Sequence, residues 1–315
     1  MVGPVPTSGR AGVADSDPSE LGREVVACWD AFLDVVRAPS TDLSRRSRLS
    51  GWSGRDVLVH LGHWDDSPVL DSLVASARTG ALDDSPPPDR GNDALVAAHR
   101  GDPTDRVVAA VQEGRDRIAA FFDGGEAAEV GRLLSRSTVG PLPVLTLLHA
   151  GTYELAVHAL DLTPCGAPRP AAHLLDRGLA ALLDVTGSLA ARAGVEITLA
   201  GTTPDGGWQF SSGADGWTTE RHPSPTVDGV GVQASVIDLL DASAGRASVP
   251  QLLLTRRLHV SQMQQWMRLA PLVEEMPGLP GGAALRTAVH GVSGVAGVAG
   301  GVVGGVGRAL GRFRR

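Results

Sequence analysis

His149-Ala150-Gly151-Thr152-Tyr153-Glu154-Leu155-Ala156-Val157-His158-Ala159-Leu160-Asp161-Leu162 is the stretch on which the reading of this chain turns. It predicts a helix. At about 100° per residue, Glu154, His158 and Asp161 fall on one stripe while Leu148, Leu155 and Leu162 mark another. The expectation is chemistry on one face and packing on the other. Glu154 and His158 stand at i, i+4, with Cβ atoms roughly 5–6 Å apart and side chains leaning toward the helix N-terminus, so together they can reach one cation. A third ligand must come from elsewhere. The best candidate segment is Gly51-Trp52-Ser53-Gly54-Arg55-Asp56-Val57-Leu58-Val59-His60-Leu61-Gly62-His63-Trp64, which offers His60 and, one turn later, His63.

Working outward, Ser53 reads as an N-cap, Asp56 three residues on completes a capping-box-like pair, and Trp52 is placed to staple against Val57. A helix starting there puts His60 about two turns inside it. Before it, Glu20 to Val36 carries Val25, Val26, Trp29, Phe32, Leu33 and Val36 at helical spacing and stops before Pro39. Thr79 to Pro103 is rich in Asp, Pro and Gly around Pro86-Pro87-Pro88 and reads as an exposed connection. Periodicity returns from Thr104 to Phe122. The helix that carries Glu154 and His158 starts after Gly140-Pro141-Leu142-Pro143 and ends by Pro164. Four amphipathic helices with ligands turned inward are a known bundle architecture.

Pro164-Cys165-Gly166-Ala167-Pro168-Arg169-Pro170 then breaks the pattern. Leu174 to Ala193 predicts one helix, and strand-like runs follow at Val195–Leu199, Gly207–Phe210 and Trp217–Glu220. Ala234 to Leu240 reads as helix, Arg257 to Val260 as strand, and Gln262 to Glu275 as a last helix. The mixture predicts an α+β second region.

Trp52 followed by Arg55-Asp56-Val57-Leu58-Val59-His60-Leu61, and later Glu154-x-x-x-His158-x-x-Asp161-Leu162, resemble the N-terminal domain of mycothiol-dependent maleylpyruvate isomerases, part of the DinB-like group of metal-binding four-helix bundles. The resemblance implies a divalent metal, usually zinc, held by His60, Glu154 and His158, with mycothiol as the thiol cofactor. His63 would then support the site from behind or face solvent. The run from Val227-Asp228-Gly229 through Asp238-Leu239-Leu240 to Ala244-Gly245-Arg246, then Arg257-Leu258-His259-Val260, looks like the sterol-carrier-like C-terminal domain of the same family, although Ala244 departs from its usual bulkier residue. Arg246 resembles an arginine that contributes to the isomerase active site, where it could hold a substrate carboxylate. It could equally cap the last carbonyls of a helix. Asp161 suits an acceptor that orients a ligand histidine, or a plain helix-end hydrogen bond.

These readings predict an α+β protein: a lead-in over 1–18 without fixed structure, a DinB-like four-helix bundle over 19–165, a smaller sterol-carrier-like α+β domain over 166–280, and a flexible Gly/Val/Ala-rich tail over 281–315. The tail's alternative is a membrane-associated or self-packing small-residue helix. The formal net charge is −7, and the 28 positive residues are all arginine, scattered among the acids, so no basic face advertises nucleic acid. Cys28 and Cys165 are too few for a disulfide framework. The N-terminus lacks a basic region followed by an apolar core. A cytoplasmic protein is the plain expectation.

Two functions of different class follow. One is a mycothiol-dependent metalloenzyme, an isomerase or thiol S-transferase acting on a small molecule. The other is a non-catalytic binding protein whose second half holds an apolar ligand. Residues after Pro280 carry no periodic apolar face. Truncation at Gly281 should therefore leave the thermal midpoint within about one or two degrees of the full chain, given that about 1 kcal/mol moves a large domain by roughly 2–4 °C.

Overall fold

Asp17 accepts a hydrogen bond from the Ser19 N–H and, with Pro18 in the first turn, opens helix α1 (Pro18–Arg37). The computed structural model describes residues 3–82 and 88–269, so the end of the last predicted helix and the Gly/Val/Ala tail lie outside the described residues. After α1 come α2 (Gly54–Leu61), α3 (Val69–Thr79), α4 (Pro88–Ala98), α5 (Thr104–Asp123), the short α6 (Glu126–Val130) and α7 (Val144–Asp161). Helices α1, α2, α5 and α7 pack on one another around Val25, Phe32, Val57, Leu58, Val107, Val111, Leu155 and Ala159. A two-stranded ribbon of β2 (Leu134–Ser135) and β3 (Leu142–Pro143) leads into α7.

The connection expected over most of Thr79–Pro103 is corrected in part: α4 occupies Pro88–Ala98 within it, with Val96 buried. Proline is tolerated in a first helical turn, so the proline run marks where a helix can begin as readily as where one cannot continue. Helix α7 also differs from the two-faced helix expected. It is the central helix and is buried nearly all round; Thr146, His149, Thr152, His158 and Asp161 are buried along with its leucines.

The second half opens with α8 (Ala172–Arg192), which lies along α7 on one side and on a sheet on the other. Gly178 makes the first contact possible, since a Cβ there would stand 2.6 Å from the Ala156 Cβ. The strands β4 (Ile197–Thr203), β5 (Gly206–Gly213) and β6 (Gly216–His222) form an antiparallel meander. Strand β7 (Val230–Gln233) joins parallel to β4, and β8 (His259–Ser261) joins antiparallel to β7. Helices α9 (Val236–Ser243), α10 (Val249–Leu254) and α11 (Met263–Trp266) complete the described chain. The fold is α+β: a helical first half, then a mixed six-stranded sheet with helices. No helix among the described residues is long and apolar enough to cross a membrane.

The sheet's sixth strand comes from the other end of the chain. Residues Arg10–Ala11 form β1, parallel to β6, with Arg10 opposite Gly216 and Ala11 opposite Trp217. The structureless lead-in expected over 1–18 is therefore corrected for this part. The reason is the buried carboxylate of Asp184 on α8, whose Oδ1 accepts from the Val13 N–H (3.1 Å), the Trp217 Nε1–H (2.9 Å) and the Thr219 hydroxyl (2.6 Å). Gly12 has φ +55°, and any Cβ there would collide with Asp184 Oδ1 and the Trp217 ring.

Burial pushes the Asp184 carboxyl up to about 6 from 3.8, against the pull of these neutral donors. A folded value above the unfolded one means that the folded chain holds the proton longer. The stability linked to Asp184 is then full below pH 3.8 and falls as pH rises through about 6. Urea unfolding between pH 4 and 6 should show this decline in the parent and not in Asp184→Asn. Asp184→Ala, which orphans the donors, should cost about 1–3 kcal/mol.

Candidate metal centre

The site is assembled by one well-capped helix start and one buried helix. At α2 the Ser53 N–H donates to Asp56 Oδ2 (2.8 Å) while the Asp56 N–H donates to Ser53 Oγ (3.3 Å). This reciprocal cap sets where α2 begins and so places His60 in its last turn, facing α7. The His60 and His158 rings meet edge to face with centroids 5.2 Å apart, and the Trp52 ring lies 5.8 Å from that of His60. Glu154 Oε2 is 3.4 Å from His158 Nε2 and 3.9 Å from His60 Nε2. One potential ligand atom from each of His60, Glu154 and His158 lies within 4.8 Å of the others.

These donors fit a divalent cation. Zinc bonds of about 2.0–2.1 Å in tetrahedral array separate ligand atoms by about 3.3 Å, near the spacing of His158 and Glu154 and somewhat below that of His60 and Glu154. Two imidazole nitrogens and a carboxylate form a donor set typical of zinc, and three protein ligands leave a position for a water or substrate. The exposure gradient agrees: the His158 side chain is 8 % accessible and that of Glu154 45 %, so the group opens at its carboxylate.

Asp161 Oδ2 lies 3.0 Å from His158 Nδ1, which assigns that nitrogen the proton and leaves Nε2 for the cluster. Without a metal, burial lowers the basicity of His158, yet Asp161 and Glu154 outweigh it and hold the imidazole up at about 9. Desolvation would raise Glu154, but the neighbouring His158 and His60 imidazoles outweigh it and draw the carboxyl far below the usual carboxylate range. Asp161 is likewise pushed up by burial and pulled down further, to about 2, by His158 and Arg246.

Arg246 follows the helical end of α9, and its guanidinium is committed. Its Nε and Nη2 donate to Asp161 Oδ1 and Oδ2 (both 3.0 Å), and Nη1 donates to the Ala244 carbonyl (3.0 Å). The Arg246 fork expected to hold a substrate carboxylate lies on Asp161 in this structure, and the bond from Nη1 to the Ala244 carbonyl is a helix-end cap. His63 does not face solvent: its N–H donates to the Ala110 carbonyl, and its buried ring lies 3.7 Å from Glu113. Both cysteines are buried and unpaired, and burial pushes the Cys28 thiol up to about 12, which leaves no thiolate there near neutral pH. Of the other histidines, His149 is buried and kept neutral, at about 3, by burial and by Arg177, while His99 sits between Asp102 and Asp66 against the Trp64 ring. Sequence reasoning missed Arg48, which donates through Nε to Asp161 Oδ1 at 3.1 Å; in Arg45-Arg46-Ser47-Arg48 nothing distinguishes it from its neighbours. The surface grooves between α3 and α5 and between α1 and α5 are lined by other residues.

Residues 25–163 match the family model of the mycothiol maleylpyruvate isomerase N-terminal domain, and this helical part of the chain belongs to that family. Among curated proteins none matches significantly. Two crystal structures of mycothiol-dependent maleylpyruvate isomerase, one of them of a mutant, are similar at 19 % and 18 % identity. Each match covers 78 % of this chain and 91 % of the other, with a TM-score of 0.46, too low to carry an argument about activity.

The His158 value has a consequence for the metal-free protein. Its folded value, about 9, lies above the ordinary 6.5, so the linked stability is full below pH 6.5 and is lost as pH rises through about 9. Thermal unfolding with a chelator present should show this loss in the parent, and His158→Gln should flatten it.

Proposed function

We propose, from a helical half that belongs to the mycothiol maleylpyruvate isomerase N-terminal domain family, that this protein is a mycothiol-dependent metalloenzyme. It uses a thiol cofactor for cis–trans isomerisation of a small substrate or for S-transfer to a small electrophile. The observation that carries the reading is the convergence of His60, Glu154 and His158 within 4.8 Å, inside the segment that matches the family. The cation is zinc in this proposal; when bound it supplies Lewis acidity that favours the deprotonated thiol at neutral pH. The partners are small molecules, with no part for nucleic acid or a membrane.

The chain's own residues have separate tasks. Glu154 contributes the negative charge that favours a dication and lines the open side of the group. Asp161 accepts the His158 Nδ1 proton and so keeps the Nε2 lone pair turned inward. His60, from α2, closes the set, and its Nδ1 is buried without a hydrogen-bond partner among the described residues. In the isomerase form, a bound thiol cofactor would supply the sulfur nucleophile for reversible addition to a double bond conjugated with a carbonyl; His60, Glu154 and His158 would hold the cation beside it, with Asp161 fixing the His158 ring. The nucleophile comes from the cofactor, in keeping with two buried protein thiols.

Zinc analysis of the parent and of single variants tests the reading. Each of His60→Ala and His158→Ala removes one of three ligands, so metal content should fall steeply while helicity by circular dichroism persists. Glu154→Gln keeps size and helix propensity and should weaken affinity without unfolding. His63→Ala, outside the cluster, should retain zinc. A parent that stays metal-free after reconstitution, and shows no thiol-dependent turnover, would leave the apolar-ligand carrier as the better account.

A further inference from the structure

The geometry points to Arg48, working through Asp241, as a positioning residue that ties the second half of the chain to the ligand histidine of the first. The inference rests on the metal reading above and concerns residues outside the ligand set.

Arg48 stands in the loop between α1 and α2 and is fastened to the end of α7 twice. Its N–H donates to the Asp161 carbonyl (3.0 Å) and its Nε to Asp161 Oδ1 (3.1 Å). The far edge of the same guanidinium donates to both carboxylate oxygens of Asp241 on α9, Nη1 to Oδ2 at 2.9 Å and Nη2 to Oδ1 at 2.7 Å. The Asp241 carbonyl in turn accepts the Arg246 and Ala247 N–H groups at 2.7 and 3.0 Å, which places the backbone that carries Arg246. One planar fork thus spans two carboxylates from opposite halves, a task its geometry suits and a lysine ammonium could not perform.

The charges show why the second carboxylate matters. Asp161 is fully buried and receives two guanidinium groups and an imidazole. With His158 neutral, as a metal ligand must be, Asp161 and Asp241 balance Arg48 and Arg246. Loss of Arg48 removes one donor from Asp161 Oδ1 and leaves Asp241, only 14 % accessible in its side chain, without its bidentate partner. Arg246 is then the one guanidinium left to fix the Asp161 carboxylate, and the acceptor of the His158 Nδ1–H that aims Nε2 at the cluster is held less firmly. Outer partners of metal-ligating histidines are worth 10–100-fold in affinity, and Arg48 acts one bond further out.

The test measures zinc affinity by chelator competition and the visible spectrum of the cobalt-substituted protein in the parent, Arg48→Met, Arg48→Lys and Asp241→Asn. Arg48→Met should weaken zinc binding about tenfold and shift the cobalt bands. Arg48→Lys should recover only part, and Asp241→Asn should weaken binding less than Arg48→Met. Adding Asp241→Asn to Arg48→Met should cost nothing further, because both act through one path. An Arg48→Met protein with a lowered thermal midpoint but parental zinc affinity and cobalt spectrum would show a staple between the halves and nothing more. Should Arg48→Met not fold, Arg48→Lys decides, and parental affinity there overturns the inference. A parent that takes up no zinc removes the metal reading and this inference with it; a parent that binds zinc beside variants that bind it equally removes only the inference.

Discussion

The carboxylate of Asp161 is wholly buried, and a buried charge is tolerated only where hydrogen bonds and opposite charges replace its water. Here the replacements come from three places: His158 one turn back on α7, Arg48 from the loop before α2, and Arg246 from beyond α9. None of these segments can move without uncovering the charge. The same constraint therefore sets the rotamer of a candidate metal ligand, the path of the loop into α2 and the seat of α9 against the helical half.

A second buried carboxylate, Asp184 on α8, differs in one respect. Its donors are neutral: an amide, an indole and a hydroxyl. Asp161 faces cations, which outweigh burial and hold it charged at about 2, whereas at Asp184 burial wins and the carboxyl rises to about 6. The first carboxylate makes a charged network beside the candidate centre. The second pins the N-terminal strand into the sheet. Both lie at the edges of the α7–α8 contact, where Gly178 lets the two helices approach, so the halves form one packed body around a helix from each.

The candidate centre inherits its openness from this arrangement. His158 and Asp161 are sealed, and accessibility rises at Glu154, so any small molecule reaches the group from the carboxylate side. In the proposed reading the thiol is brought in as a cofactor, in keeping with two buried protein thiols. Arg246, with its fork taken by Asp161, belongs to the support of His158 in the protein without ligands, and Arg48 joins it there.

Much of this was legible in the sequence because it is local. The capping pair Ser53/Asp56 marks a helix start within four residues, Glu154 and His158 share a face through helical spacing alone, and the strands β4 to β6 are bounded by Gly and Asp turns. The α+β character follows from those patterns. What the sequence could not determine is whatever depends on partners far along the chain. Strand β1 is two residues long and exists because Asp184 and β6 receive it; β7, with a glycine in its four residues, is a strand because β4 and β8 flank it. Helical spacing puts the polar residues of α7 on one stripe, but their burial depends on the distant segments that pack over them. Arg48 and Asp241, 193 positions apart, carry no mark of each other in the sequence. Local geometry is written in spacing, but the pairing of a buried charge depends on which distant segments the packed core brings to it, and only the tertiary structure decides that.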